Sequence, residues 1–282
     1  MSGAEDEYED RRISEELLRR ERRDRIKVKD ADDYKVVEGV LDSRTLMVLY
    51  SLMKSGHLAS LSGVVKSGKE ARVYLGKAAS GGDLAVKIYY AVASKFKRRI
   101  MYLEGDPRFE GIKRGPHALA ELWARREFMN LKQARDAGVR VPAPIAVKGN
   151  VLLMEFIGEG GRPAPLLAES EVDRGDYDAL LRYIRGLWRD AAIVHADLSE
   201  YNVFKWRGEL VLFDFGSSVD ARHPLALDLL RRDVETVNRF FASRGIDVAD
   251  TEEVLREVLG RCRPPPGPAL AAPSWSGYPG TG

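Results

Sequence analysis

Cysteine is nearly absent: Cys262 is the only one in 282 residues, so an intrachain disulfide or a thiolate metal cluster cannot be built. A reducing, cytoplasmic compartment is the expectation. Histidine is scarce too. His57, His117 and His223 have no mutual spacing of the kind that binds a metal, and read as incidental surface or capping residues. The chain has no run of about 18 uncharged apolar residues. Its N-terminus is acidic and charged instead of a basic segment followed by an apolar one, so neither a membrane span nor a secretion signal is expected. An excess of one charge is also missing. The net charge is +2 although 31% of residues are charged, so any attraction to nucleic acid has to come from local clusters. Two exist: Lys95, Lys97, Arg98 and Arg99 with Lys113 and Arg114 downstream, and the series from Arg19 to Lys29. A solvated face and a phosphate-contacting surface remain open for both.

A hydrophobic content of 44% is enough for a sizeable core, and the length suits one large domain or two lobes with tails. Residues 1–30 are dense in mixed charge and read as an arm. A helical period over Leu41–Met53 stops at Gly56, and β-prone runs at Val64–Val65, Val73–Leu75 and Leu84–Tyr89 are separated by turn signals. Ser94–Pro116 is basic and aperiodic, the pattern of a flexible, functional loop. A long helix is expected over Ala118–Ala137, closed by Gly138 and the Pro142–Pro144 segment. Strands follow near Ile145–Val147 and Val151–Phe156, then a Gly/Pro-rich hinge at Gly158–Pro165. Beyond residue 170 helices dominate, one striped by Leu180, Ile184, Leu187 and Trp188 and another over Leu225–Phe241, with short strands near Val203–Trp206 and Leu210–Phe213 between them. Residues 263–282 form a Pro/Gly-rich tail. The expected organisation is α+β and bilobal: a helix plus a small β-rich nucleotide-binding lobe over 31–158, then a mainly helical catalytic lobe over 159–262.

The chemistry concentrates in three places. His195-Ala196-Asp197-Leu198-Ser199-Glu200-Tyr201-Asn202 has the spacing of a kinase catalytic loop, with Asp197 able to take a hydroxyl proton and Asn202 able to reach a metal. Twelve residues on, Asp214-Phe215-Gly216 places a carboxylate at a strand end, where it can bind Mg2+. Lys87, in Leu84-Ala85-Val86-Lys87-Ile88, would point an ammonium at nucleotide phosphates, and its partner is an acid on the following helix, Glu127 with Glu121 as rival. Each match is weak alone, but the order and context make the set specific. His195 reads as a structural histidine, because Asp197 already fills the base role. Trp123, Trp188 and Phe128 read as core, and Asp233 either accepts backbone bonds from the catalytic loop or joins a surface ion pair.

The turn Lys66-Ser67-Gly68-Lys69-Glu70-Ala71-Arg72-Val73 holds one glycine where ordinary protein kinases have three. This turn, Phe96–Arg99, Tyr102–Phe109, Val151–Gly158 and His195–Asn202 resemble the RIO atypical protein kinases, type 1 branch, over roughly residues 33–245. That resemblance implies ATP and Mg2+, with Mn2+ an alternative, as cofactors. It implies phosphate contacts from Ser67 and Lys69, adenine contacts from the backbone of Glu155 and Ile157, and kinase roles for Lys87, Asp197, Asn202 and Asp214. It also implies a late small-ribosomal-subunit precursor and its RNA as partners. An Ala-Pro-Glu segment does not follow Asp214, and Ala196 replaces the usual arginine, so switching by a phosphorylated activation loop is not expected. Transfer to serine, to water or to Asp214 itself stays open, as do two alternatives: a small-molecule phosphotransferase of the same fold, and a nucleotide-bound RNA-binding scaffold.

Overall fold

The computed structural model describes residues 41–90 and 115–260. The arm, the basic clusters, the loop read over Ser94–Pro116 (apart from its last two residues), Cys262 and the tail lie outside the described residues. Among the described residues, those up to Leu46 and those from Met47 fall in separate units. In the first, Asp42 caps the start of helix α1 (Ser43–Lys54), its carboxylate accepting the Thr45 N–H at 2.7 Å.

The second unit takes in α1 from Met47 on and then a five-stranded antiparallel sheet of β1 (Ser60–Ser67), β2 (Ala71–Lys77), β3 (Asp83–Tyr89), β4 (Pro144–Lys148) and β5 (Val151–Glu155), in the order β1-β2-β3-β5-β4. β3 is central, which explains why Asp83-Leu-Ala-Val-Lys-Ile-Tyr89 is apolar almost throughout: six of its seven positions are buried. Lys87 sits among them opposite Leu152 on one side and Val73 on the other. Helix α2 (Pro116–Asp136) packs on this sheet. Proline in its first turn suits the helix start, and Gly138, at φ 77°, takes the left-handed conformation just past its end.

The Gly/Pro-rich segment expected as a hinge holds a small hairpin of β6 (Gly158–Glu159) and β7 (Arg162–Pro163). Gly158 permits it, because a Cβ there would lie 2.1 Å from the Arg162 carbonyl oxygen. The helical part follows: α3 (Arg174–Arg189), β8 (Ile193–Val194), the hairpin of β9 (Val203–Trp206) and β10 (Glu209–Leu212), β11 (Val219–Asp220), α4 (Ala226–Ser243) and α5 (Thr251–Leu259). Asp173 and Asp176 form a capping box at the start of α3. The α3 stripe of Tyr177, Leu180, Ile184, Leu187 and Trp188 meets Leu230, Val234, Val237 and Phe241 of α4 and Val254, Leu255 and Val258 of α5 in one core. Each such side chain contributes roughly 1.5–3 kcal/mol on burial. This core is the rigid bed on which the loop His195–Asn202 lies.

Candidate active site

Lys87 stands where the sheet meets the helical part. Its ammonium is 2.8 Å from Oε1 and 2.7 Å from Oε2 of Glu127, and 2.8 Å from Oδ1 of Asp214. Glu127, and not Glu121, is therefore the helix partner. Burial acts to lower the Lys87 pKa, but the Asp214 and Glu127 carboxylates outweigh it and hold the ammonium well above its usual range. The two carboxylates differ in setting. The Glu127 side chain is fully buried while that of Asp214 is 37% exposed, so Glu127 is a fixed anchor and Asp214 is the open end of the triad. Tyr89, two residues along β3 and so on the same face as Lys87, donates its hydroxyl to Oε2 of Glu127. Burial pushes the Tyr89 phenol well up, which keeps it a donor. Nothing in the motif pointed to Tyr89, although the two-residue strand period could have.

The catalytic loop is held by its backbone. Asp233, buried on α4, accepts the N–H groups of Ala196 at 2.8 Å and Leu198 at 3.1 Å, which decides between its two readings. Its neighbour Arg232 donates to the Ala196 carbonyl. Burial outweighs both amide bonds and raises the Asp233 carboxyl to about 7. His195 is buried, with Nε2 3.1 Å from the Phe213 carbonyl and its ring edge-on to Phe215, in keeping with a structural role; burial lowers its pKa. Asp197 itself is exposed, next to Ala196 in the left-handed region at φ 67°. Asn202 donates Nδ2 to the Asp197 carbonyl at 2.8 Å, tying together the two ends of the Asp-x4-Asn motif.

Asn202 and Asp214 bracket the β9–β10 hairpin. The ladder ends at Val203 opposite Leu212, and the Phe213 N–H continues it by donating to the Asn202 carbonyl at 3.0 Å. The hairpin thus brings the backbone of Asn202 beside the residue that precedes Asp214, and Asp214 turns out of it at φ 64°. No cluster of three or more metal-ligating side chains exists among the described residues, so a cation held here would complete its shell with other oxygens, such as phosphates and waters. Two hard oxygen side chains at an open edge, with a lysine ammonium alongside, fit a Mg2+–phosphate pair.

Ser67 ends β1 opposite Arg72, whose Nε donates to its hydroxyl at 3.3 Å, and Lys69 is exposed on the turn that follows. Just before them, the Lys66 ammonium lies 5.3 Å from the centre of the Phe213 ring, which brings the foot of this turn to the residue preceding Asp214. Phe213 in turn stacks on Phe204 at 4.1 Å, an aromatic layer the sequence motifs did not announce. Glu155 directs its carboxylate away into a bidentate pair with Arg140 at 2.7 and 2.8 Å, and also accepts the Ala143 N–H. Arg140 and that amide lower its pKa against the effect of burial. The Ile157 carbonyl accepts from Ala164. Of the two readings of His223, surface or capping, the second holds: it is buried, and its Nδ1 accepts the Leu225 N–H at the start of α4.

The profile of the RIO domain family matches residues 72–254. The chain is 42% identical over 265 residues to the RIO-type serine/threonine-protein kinase Rio1 of Haloferax volcanii, covering 90% of this chain and 91% of that protein. It is 37% identical to the Methanocaldococcus jannaschii protein of the same name, covering 93% and 88%. The human serine/threonine-protein kinase RIO1 is 36% identical over 86% of this chain, which spans only 44% of the human protein. Among solved structures, the Rio2 kinase of Chaetomium thermophilum superposes with a TM-score of 0.58 at 19% identity over 78% of this chain and 70% of that one. A complex of that kinase with ADP, Mg2+ and phosphoaspartate gives 0.55 at 18%, over 77% and 67%. With the kinase-like α+β fold and the Lys87–Glu127–Asp214 triad already in view, these likenesses carry the conclusion that the chain belongs to the RIO family of protein kinases.

Proposed function

We propose that this enzyme transfers the γ-phosphate of ATP, with Asp197 as general base and Asn202 and Asp214 holding Mg2+. The observation that carries the reading is Lys87 reaching Glu127 and Asp214 at once, because this joins a sheet lysine to the open end of the β9–β10 hairpin. Glu127 fixes Lys87, and Lys87 then aligns the α- and β-phosphates. Ser67 and Lys69 cradle phosphate from the β1–β2 turn. The Glu155 carbonyl and the Ile157 N–H take the adenine edge, and the commitment of the Glu155 side chain to Arg140 supports a backbone role there. Phe204 stacks on Phe213 and packs with the cluster that includes Ile157, which gives that edge an apolar neighbour. When bound, Mg2+ neutralises phosphate charge and orients the phosphate oxygens. Mn2+ suits the same oxygen donors.

Asp197, exposed at the loop crest, takes the proton of an attacking serine hydroxyl or of water. A third destination is Asp214, whose carboxylate would displace ADP and keep the phosphoryl group. The phosphoaspartate in the Rio2 complex supports that third route by analogy. The partner we assign is a small-ribosomal-subunit precursor with its RNA, in the cytoplasm, with ATP turnover governing binding and release. The family match favours this over a small-molecule phosphotransferase, and the assembled triad favours catalysis over a passive RNA scaffold.

The test follows labelled γ-phosphate from ATP with wild type and Asp214→Ala, scoring protein-bound label and free phosphate separately. Label on serine means a protein kinase. Free phosphate with little stable label, abolished in the variant, means an ATPase switch. Turnover unchanged by Asp214→Ala removes Asp214 from its assigned role.

A further inference from the structure

Helix α2 serves more than Lys87. Beside Glu127 in sequence stands Arg126, and one turn on stands Asn130; all three are completely buried. Both polar neighbours turn to the chain segment that follows Asp214. Arg126 donates Nε at 3.2 Å and Nη2 at 2.7 Å to the Ser218 carbonyl. Asn130 donates Nδ2 to the Phe215 carbonyl at 2.9 Å and to the Ser218 carbonyl at 3.3 Å. The two carbonyls bracket a single 3-10 turn, Phe215–Ser217, which begins directly after Asp214. The Ser218 hydroxyl donates at 3.1 Å to the His195 carbonyl, so the far end of the turn also touches the catalytic loop.

A fully buried guanidinium is costly unless its donors meet strong acceptors, and here two N–H groups converge on one carbonyl while the guanidinium stacks 5.1 Å from the Trp123 ring. Moving the turn away would break both of these bonds to the Ser218 carbonyl. Asp214 lies one residue before the turn, in the left-handed region, so its carboxylate direction follows from where the turn is anchored.

We propose that Arg126 and Asn130 are positioning residues for the metal-binding carboxylate: they clamp the backbone after Asp214 to the helix that carries Glu127, so that Asp214, Lys87 and Glu127 are set as one unit. Such a clamp agrees with the expectation, drawn from Ala196 and the missing Ala-Pro-Glu run, that switching does not use a phosphorylated activation segment, since the turn is held by a permanent buried charge instead of an added one. The proposal rests on Asp214 being the metal ligand assigned above.

The experiment measures ATP affinity of the full chain with Mg2+ and with chelator, for wild type, Arg126→Met, Arg126→Lys, Asn130→Leu and Asp214→Asn. Amide hydrogen exchange of Gly216, Ser217 and Ser218 is followed in metal-free protein. Arg126→Met is expected to lose about tenfold or more of the Mg2+-dependent tightening, as partners that orient a metal ligand usually do, while metal-free affinity stays within about twofold. Exchange over the turn rises, and Arg126→Lys restores part of both. If Arg126→Met does not fold, Asn130→Leu, which removes an uncharged amide and leaves the buried guanidinium in place, carries the same two readouts. Full Mg2+ tightening in folded Arg126→Met and Asn130→Leu, alongside its loss in Asp214→Asn, overturns the clamp and leaves the proposed function standing. So does an equal fall in metal-free and Mg2+ affinities. Unchanged tightening in Asp214→Asn overturns the metal assignment itself and the clamp with it.

Discussion

The two loops assigned to phosphate handling are held in opposite ways. In the catalytic loop, the peptide groups around Asp197 are committed: Ala196 N–H and Leu198 N–H to Asp233, the Ala196 carbonyl to Arg232 and the Asp197 carbonyl to Asn202. The turn between β1 and β2 has a short backbone bond from Gly68 to Ala71 at 3.0 Å and the long Arg72–Ser67 contact, and it is largely exposed. The first arrangement suits a group that acts on a proton, where a small displacement costs much rate. The second suits a surface that admits and releases nucleotide.

Breaking the rigid side gives the largest effects. Asp197→Ala should lower turnover by at least about 10²-fold with ATP binding retained, measured by steady-state rates and equilibrium titration. Unchanged turnover would take Asp197 out of the base role. Next comes the support beneath it. Because the folded-state pKa of Asp233, about 7, exceeds the 3.8 of an ordinary aspartate, the folded protein keeps a proton that the unfolded chain has shed. Its contribution to stability is complete below about pH 4 and is lost as pH rises through 7, at roughly 1.4 kcal/mol per pH unit. His195 acts in the other direction, since its lowered pKa costs stability as pH falls below the usual 6.5. Denaturant unfolding from pH 4 to 8 should therefore show a downward component in wild type that is missing from Asp233→Asn. The same slope in both proteins would assign that titration elsewhere.

The loose side should respond less and differently. Lys69→Ala is expected to raise KM for ATP by about tenfold with kcat nearly intact, the signature of uniform binding. A matching loss in kcat would mean the turn acts in the transition state and would erase the contrast. Ser67→Ala sharpens it with the smallest effect, about threefold in KM, because the hydroxyl offers one neutral hydrogen bond.

Much of this was legible in the sequence, for identifiable reasons. Lys87, Asp197, Asn202 and Asp214 could be found because their spacing and their strand or loop context are local properties of the chain. Sheet-to-helix order narrowed the partner of Lys87 to Glu127 or Glu121, and only the contact itself chose Glu127. Arg126 and Asn130 could not be read, because their partners are carbonyls 85 to 92 residues away, and a carbonyl leaves no mark on residue identity. Phe204 and Phe213 were hidden as ordinary strand aromatics. Helix α5 was overlooked although Asp250 announces it, accepting the N–H groups of Glu252 and Glu253. The small hairpin within the Gly158–Pro165 hinge left no signal, because a two-residue strand is too short to show a period.

The β9–β10 hairpin has a consequence for how the enzyme assembles. Asn202 and Asp214 belong to one continuous hairpin, whereas Lys87 meets Asp214 across a sequence separation of 127 residues. Closing a short hairpin takes microseconds, while pairing such distant segments waits on the chain entropy of a long loop. In refolding of the whole chain the hairpin that carries the oxygen pair is therefore expected to close before Lys87 reaches it, an order that pulse-labelled amide exchange of Val203–Leu212 against Asp83–Tyr89 checks. During synthesis the sheet is made first and the order reverses.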